Sequence, residues 1–206
     1  MIDRIEWLGH GSFRIQGPPL IYINPWRVAR NAFHADVILV STDQYDHCSP
    51  ADIDKLRGPH TVVLGNAGAA AVLGPHTSVL RPWQSINIGP ARITAVPAYT
   101  FTAHHPVAKG GLGYIISLDY YDIYYAGLTD VIPEMKHVQA DVAIVPVAAG
   151  QGTMTPESAA ELLNAMRPRW VIPSHWGTLA GTQLDVQMLE QALEGGISVV
   201  LHETVR

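Results

Sequence analysis

The chain has 206 residues, of which 48% are apolar and 15% are charged, so it is long enough and apolar enough to bury one substantial core. Its formal net charge is −5 and its 13 lysine and arginine residues are scattered, which argues against nucleic acid or an anionic membrane surface as a partner. We therefore expect a single domain over residues 1–206 with a small-molecule ligand or substrate, and a homo-oligomer stays open.

The cellular location is suggested by what the sequence lacks. No apolar run approaches the ~20 residues of a transmembrane helix, and residues 1–13 are acidic and alternating rather than basic and then apolar. The single cysteine, Cys48, cannot form an internal disulfide, which is compatible with a reducing compartment. The sequence thus predicts a cytoplasmic protein without a membrane partner.

The first part of the chain is predicted to be mainly β-strands. Residues 4–8 and 12–16 alternate apolar and polar side chains around a Gly-His-Gly turn, which predicts a hairpin with one buried face. A short strand follows at 20–23, and the β-branched run at 36–41 is typical of a strand covered on both faces. Ser49 has the character of an N-cap with Pro50 at the first helical position, so a helix is expected to about Leu56. Residues 40–50, VSTDQYDHCSP, therefore form a strand-to-helix loop.

Strands and helices alternate in the rest of the chain. Strands are predicted at 61–64, 85–88, 92–96, 114–118, 122–126, 141–147, 170–173 and 197–201, and helices at 67–73, 155–166 and 184–193. The glycine-rich residues 110–113 lack the preceding strand and following helix of a nucleotide-binding loop, so they are interpreted as a turn. This order favours an α/β protein with two sheets and helices outside them, a four-layer αββα sandwich.

Several segments in order along nearly the whole chain resemble one family. They are WLGHGSFRI (7–15), YINPW (22–26), VSTDQYDHCSPADI (40–53), VPAY (96–99), HHP (104–106), LGYII (112–116), IYYAGLTDVIPEM (123–135) and VIPSHWGT (171–178). Together they resemble the metallo-β-lactamase superfamily, and within it the L-ascorbate-6-phosphate lactonase-like branch of Zn-dependent hydrolases. The resemblance implies an αββα fold, one or two divalent metals at the sheet edge, and hydrolysis of a lactone, ester, amide or phosphodiester by metal-bound water.

The family's metal-binding signature, His-x-His-x-Asp-His, is only half present in residues 40–50. Asp46 and His47 match its Asp-His pair, whereas Thr42 and Gln44 stand at its two histidines. A threonine hydroxyl and a glutamine amide are poor zinc ligands compared with imidazole. Leu128 stands where the family has an aspartate that bridges both metals, and a leucine side chain cannot coordinate. A second metal is therefore not expected.

Two further residues differ from those common in this branch of the family. The resemblance also implies which residues remain as metal ligands. Asn24 stands where the branch commonly has aspartate, and Tyr125 where it commonly has histidine. The resemblance implies the metal ligands Asp46, His47 and His175, with His105 as the match for another family histidine. For proton transfer it leaves Asp46 and His105 as candidates, beside His104, Asp43 and Asp130.

Two hypotheses for function remain open. In the first, one divalent metal, zinc, manganese or iron, binds to Asp46, His47 and His175 and the protein is a metal-dependent hydrolase. In the second, the fold has lost its metal and hydrolytic activity and binds a ligand or partner. If the substrate were a phosphorylated sugar, the candidate cationic anchors would be Arg27, Arg30 and Lys109; an apolar wall for a neutral or cyclic ligand could come from Trp26, Tyr45, Tyr99, Tyr125 and Trp176.

Two residues are assigned structural roles. His10, in the tight Gly-His-Gly turn, is interpreted as a structural histidine, and Cys48 as a small buried group rather than a nucleophile.

Overall fold

The computed structural model describes residues 1–30, 32–148 and 153–205, and in these residues it contains two β-sheets. The first sheet has six strands in chain order: β1 (Ile5–Gly9), β2 (Ser12–Ile15), β3 (Ile21–Ile23), β4 (Ala35–Val40), β5 (Arg57–Gly65) and β6 (Thr77–Val79). Strands β1 to β3 pair antiparallel and strands β3 to β6 pair parallel.

The second sheet has seven strands and the same change of direction. They are β7 (Ser85–Ile88), β8 (Ala91–Pro97), β9 (Leu112–Leu118), β10 (Tyr121–Tyr125), β11 (Val142–Pro146), β12 (Trp170–Ser174) and β13 (Ser198–Val199). Strands β7 to β10 pair antiparallel and strands β10 to β13 pair parallel. Each sheet therefore ends in parallel strands whose carboxyl ends carry loops, which is where sites form in open sheets.

Within the described ranges, four α-helices connect the parallel strands: α1 (Pro50–Leu56), α2 (Ala67–Leu73), α3 (Pro156–Met166) and α4 (Gln183–Ala192). The Ser49 hydroxyl accepts a hydrogen bond from the backbone N–H of Asp52 and Pro50 is the first helical residue, which confirms the predicted start of α1. Thr155 and Pro156 start α3 in the same way. Short 3-10 helices occur at Ile2–Arg4, Val107–Lys109 and Pro133–His137.

Alternating side chains divide the interior into three apolar cores. In β4, Val37 and Leu39 face the core between the two sheets, whereas Ile38 and Val40 face the core under α1. In β11, Ile144 points into the core between the sheets and its neighbours point to the core under α3 and α4. Three cores separate four layers, so the predicted αββα architecture is confirmed.

The element boundaries differ from the prediction where strands are short or follow a helix directly. Strand β6 was not predicted, since a three-residue strand with two exposed side chains has no usable alternation. Strand β5 begins at Arg57, earlier than predicted, because Arg57 ends α1 in an extended conformation and passes straight into the strand. Strand β13 covers only Ser198–Val199, fewer residues than expected. None of the helices in the described ranges has the length and hydropathy required to cross a bilayer.

Candidate metal centre

Three buried histidines from three separate loops meet at one edge of the sandwich. His10 follows β1, His47 lies in the loop after β4, and His175 follows β12. One ligand atom from each imidazole lies within 4.8 Å of the other two. Among the described residues, these three histidines form the group that could hold a metal ion. The sequence placed His47 and His175 in one site, and the structure brings them together. His10, interpreted from the sequence as structural, joins them.

The backbone holds two of these histidines in an uncommon conformation. His10 has φ 53° and His175 has φ 63°, both in the left-handed region that non-glycine residues seldom adopt. The backbone N–H of His175 donates to the carbonyl oxygen of His10 at 3.0 Å. Since β1 and β12 belong to different sheets, this bond fixes the two histidine-bearing turns relative to each other.

The His47 and His175 rings face each other through their Nε2 atoms, which are 3.0 Å apart. Each ring uses its other nitrogen elsewhere. Nδ1 of His47 donates to Oδ1 of Asp46 at 2.9 Å, and Nδ1 of His175 lies 2.9 Å from the Ser174 hydroxyl. A partner on Nδ1 fixes the tautomer and orients a histidine toward a metal through Nε2. The two Nε2 atoms therefore lie at a distance that suits either one shared proton or one shared metal ion.

Asp46 lies behind two of the rings. Its Oδ2 accepts from Nε2 of His10 at 3.0 Å while its Oδ1 accepts from His47. Burial opposes the negative charge, but the hydrogen bonds from His10 and His47 outweigh burial and hold the pKa of the Asp46 carboxyl far below its ordinary value. Asp46 is therefore ionised and orients both imidazoles, the arrangement seen where a carboxylate supports a metal-binding histidine.

His175 is held in the neutral form. Burial lowers its pKa well below the ordinary histidine value, and the neighbouring His10 and His47 lower it further. Neutral imidazole is the form that binds a metal ion.

The donor set and the space between the rings fit a divalent metal. In a tetrahedral zinc site with Zn–N distances of about 2.0–2.1 Å, two ligand nitrogens are roughly 3.3 Å apart, close to the Nε2–Nε2 separation in this pair. Gly11 leaves the place open, because a Cβ there would lie 2.8 Å from Nε2 of His175 and 3.1 Å from Nε2 of His47. The side chain of any other residue at position 11 would occupy the space beside the two Nε2 atoms.

His105 lies outside the three-histidine group. Its Nδ1 donates to the carbonyl oxygen of Leu128 at 2.9 Å, and its Nε2 is 3.1 Å from the Thr42 hydroxyl. It packs on Gly111, where a Cβ would come within 2.0 Å of its Cε1. Burial lowers its pKa, although the bond to Leu128 opposes that shift. The two positions that lack family ligands, Thr42 and Leu128, thus supply hydrogen-bond partners for a buried histidine.

Asn24 and Tyr125, the other two residues that differ from the family branch, form a hydrogen bond with each other. Nδ2 of Asn24 donates to the Tyr125 hydroxyl at 2.8 Å, and that hydroxyl donates to the carbonyl oxygen of Gly11 at 2.9 Å. Oδ1 of Asn24 accepts from the backbone N–H of Ser41 at 2.8 Å. This fully buried network ties the Gly11 turn to the end of β4, from which the loop to Asp46 and His47 starts.

A cavity of about 180 Å³ opens beside the histidines. Its lining includes the polar residues His10, Asp46, His104 and His175 and the larger apolar or aromatic residues Tyr45, Leu128 and Leu179. His104 is exposed and His105 is buried, so the structure separates two neighbours that the sequence left equivalent.

The other candidate residues lie away from this cavity. Asp43 is 3.3 Å from the Thr42 hydroxyl, and Asp130 accepts from the backbone N–H of Phe101; neither lines the cavity. Burial and the Asp43 carboxylate raise the pKa of Cys48 to about 11, so this buried thiol stays protonated, in keeping with the prediction that it is not a nucleophile.

The amino-acid sequence matches one family model and several known proteins over most of its length. Residues 4–175 match the family model described as a β-lactamase superfamily domain. A UPF0173 metal-dependent hydrolase of Nitratidesulfovibrio vulgaris is 32% identical over 200 residues, which is 86% of this chain and 82% of that protein. One from Thermococcus onnurineus is 27% identical over 218 residues, covering 96% of this chain and 95% of that protein.

Solved structures show the same architecture. A crystal structure from Parabacteroides distasonis superposes with a TM-score of 0.85 at 28% identity, covering 98% of this chain and 93% of that one. The metallo-β-lactamase fold protein YhfI from Bacillus subtilis gives a TM-score of 0.74 at 14% identity, with 95% of each chain covered.

Proposed function

The chain belongs to the β-lactamase superfamily domain family, and from that membership and the histidine group we propose that it is a hydrolase that depends on a single divalent metal ion. The observation that carries the proposal is the pair of Nε2 atoms of His47 and His175, 3.0 Å apart over Gly11. The full-length relatives named as metal-dependent hydrolases support the same conclusion, and they weigh against the alternative of a metal-free binding module.

The proposed ligands are His47, His175 and His10, three imidazoles of the kind found in catalytic zinc sites that keep a fourth position for water. His10 would bind through Nδ1, because its Nε2 donates to Asp46 and the contact of Nδ1 with the Thr178 hydroxyl is long, at 3.3 Å. Asp46 is proposed to orient His10 and His47 from behind rather than to bind directly, because both of its oxygens accept hydrogen bonds from those rings. The family resemblance instead makes Asp46 a direct ligand. The identity of the metal, zinc, manganese or iron, stays a prediction.

A bound divalent metal supplies Lewis acidity and lowers the pKa of water toward neutrality. The chain's own residues would then position the substrate and handle its protons. The proposed proton acceptor at the cavity is the imidazole of His104, because it lines the cavity, whereas both nitrogens of His105 are occupied by Leu128 and Thr42. His105 is proposed to hold the loop that carries His104.

The test is elemental analysis and turnover of the purified protein together with single variants. Wild type should hold about one metal equivalent, and His47→Ala and His175→Ala should lose it together with hydrolysis. The matched control is His137→Ala, which removes an exposed histidine outside the group. Absence of metal from the wild type after reconstitution would contradict the proposal and favour the alternative hypothesis of a metal-free binding module.

Two further variants separate the roles of Asp46 and His10. If Asp46 orients from behind, Asp46→Asn should keep the metal with an affinity lowered about 10–100-fold, whereas His10→Ala should lose it. Complete loss in Asp46→Asn with retention in His10→Ala would instead make the carboxylate the ligand, as the resemblance implies.

A further inference from the structure

The cavity beside the histidines is lined in part by apolar side chains, two of which stay exposed to solvent. Tyr45 and Leu179 line it and remain 68% and 45% exposed, respectively. Leu128, at the position of the family's bridging aspartate, lines the same cavity and is buried. Apolar side chains gathered around a small cavity are typical of ligand sites, where a few polar groups fix orientation and apolar groups supply affinity.

Apart from the proposed metal ion, the described lining of the cavity offers no lysine or arginine for a phosphate. None of the described residues that line it is lysine or arginine, and the one charged group among them is the carboxylate of Asp46. Residues 149–152, next to the lining residue Thr153 in sequence, are Ala, Gly, Gln and Gly, which carry no charge either. Proteins recognise phosphate groups through arginine, lysine or converging backbone N–H groups.

The three cations considered from the sequence lie elsewhere. The guanidinium of Arg27 stacks on Trp26, 4.1 Å from the ring centroid, and lines a different depression. Arg30 and Lys109 are exposed and do not line the cavity. A phosphorylated substrate would therefore have no side-chain partner among them at the site.

The size of the cavity limits what enters it. A volume of about 180 Å³ has room for about six water-sized groups and is smaller than the roughly 300–1,000 Å³ of pockets that enclose a drug-sized ligand. Only the reacting bond and a short attached group fit beside the histidines. The rest of a longer substrate would extend past the exposed lining residues Tyr45 and Leu179.

We propose that the substrate is an uncharged carboxylic ester or lactone with a short apolar acyl part, and that Tyr45 and Leu179 select it. The proposal rests on the proposed hydrolase function. In the reaction, the oxygen of water bonds to the acyl carbon, the acyl C–O bond breaks, and the leaving oxygen takes up one proton. The products are one carboxylic acid and one alcohol, which are joined in a single hydroxy acid when the substrate is a lactone.

The test compares p-nitrophenyl acetate and butyrate with p-nitrophenyl phosphate and bis(p-nitrophenyl) phosphate on the zinc-loaded protein. Butyrate should exceed acetate about 15-fold in kcat/KM, since it has two more CH₂ groups and each buried CH₂ group contributes roughly 4-fold. Both phosphates should be at least about 100-fold poorer. Tyr45→Ala and Leu179→Ala should raise KM for butyrate and reduce the preference over acetate, with unchanged metal content. Tyr120→Ala, which removes a fully exposed ring outside the cavity, is the control.

A binding measurement distinguishes the possible reasons for an absence of turnover. Calorimetry on the same zinc-loaded protein compares δ-valerolactam, a neutral cyclic amide, with glucose 6-phosphate. Faster turnover of either phosphate would overturn the substrate class while the hydrolase stands. Absence of all turnover, with lactam bound and sugar phosphate not bound, would overturn the hydrolase and support the ligand class. Absence of turnover together with absence of lactam binding would overturn both.

Discussion

At the scale of single residues, the site depends on groups that touch the histidines from behind. Asp46 orients His10 and His47, and Gly11 leaves the space in front of His47 and His175. The Tyr125 hydroxyl donates to the carbonyl oxygen of Gly11 and so holds the backbone of that glycine in place. The geometry of the histidine pair thus depends on the carboxylate of Asp46, the absence of a side chain at Gly11 and the hydroxyl of Tyr125.

The network around Tyr125 can be tested with a neighbouring tyrosine as control. Tyr125→Phe should destabilise the protein by about 1–3 kcal/mol, because the Gly11 carbonyl loses its donor inside the protein. Tyr124→Phe should be neutral or stabilising, since the buried Tyr124 hydroxyl has no hydrogen-bond partner among the described residues. Chemical denaturation of both variants measures the difference. Equal losses of stability would show that the hydroxyl contacts of Tyr125 do not matter.

The space at Gly11 can be filled directly. Gly11→Ala places a Cβ within 2.8 Å of Nε2 of His175 and should push the two rings apart, so that metal affinity falls at least about 10-fold. Gly195→Ala is the control, because no atom lies within 4 Å of a Cβ at that position, and it should change stability by less than about 0.5 kcal/mol. Titration with a chromophoric chelator reports the affinity. Unchanged metal binding by Gly11→Ala would place the metal elsewhere.

At the scale of elements, helix α1 is joined to the loop after β3 through one carboxylate. Asp52 accepts hydrogen bonds from the backbone N–H groups of Arg27 and Val28, at 2.9 and 3.1 Å, and from Lys55 at 2.7 Å. Burial opposes its ionisation, but the hydrogen bonds from Lys55, Ser49 and the Arg27 backbone outweigh burial and lower the pKa of the Asp52 carboxyl. The charged form of Asp52 therefore stabilises the folded state.

The sign of the resulting pH dependence follows from that lowered pKa. The stability that Asp52 contributes is fully present above the ordinary aspartate pKa of about 3.9 and is lost as the pH falls through the lower folded value. Asp52→Asn should cost about 1–3 kcal/mol at neutral pH and flatten the acid limb of the stability profile. Denaturation from pH 7 to pH 2 measures this, with the exposed Asp54→Asn as control. An unchanged acid limb in Asp52→Asn would refute the assignment.

At the scale of the whole molecule, the two sheets share one core. Val37 and Leu39 from the first sheet pack in the same cluster as Ile116 and Ile144 from the second. Neither sheet can separate from the other without exposing that cluster, and the single domain over residues 1–206 therefore stays a prediction that an unfolding experiment can test.

A shared core should unfold as one unit. Wild type is expected to show one transition with the same midpoint by far-UV circular dichroism and by tryptophan fluorescence, because tryptophans lie in both sheets. Ile144→Ala should lower that common midpoint by removing about 2–5 kcal/mol of stability. Two separate midpoints would divide the chain into independent units. The metal-free protein is used, so that metal loss does not add a transition.

The sequence by itself determined the features that arise from neighbouring residues. The Gly-His-Gly hairpin, the starts of α1 and α3 and the buried strand β4 all follow from alternation, turn residues and capping groups within a few positions. The order of these elements then favoured four layers. The pairing of His47 with His175 came from family resemblance, because 128 positions separate them and no local pattern connects them.

Only the tertiary structure decided which loops meet and which way each side chain turns. His10 joins the histidine group because β1 and β12 bring their turns together and both residues adopt positive φ, neither of which a local pattern encodes. His105 turns inward because Gly111 admits its ring, leaving His104 at the cavity. Strand order and register in two sheets fix these contacts. They depend on packing between residues far apart in the chain, whereas periodicity and capping act between neighbours.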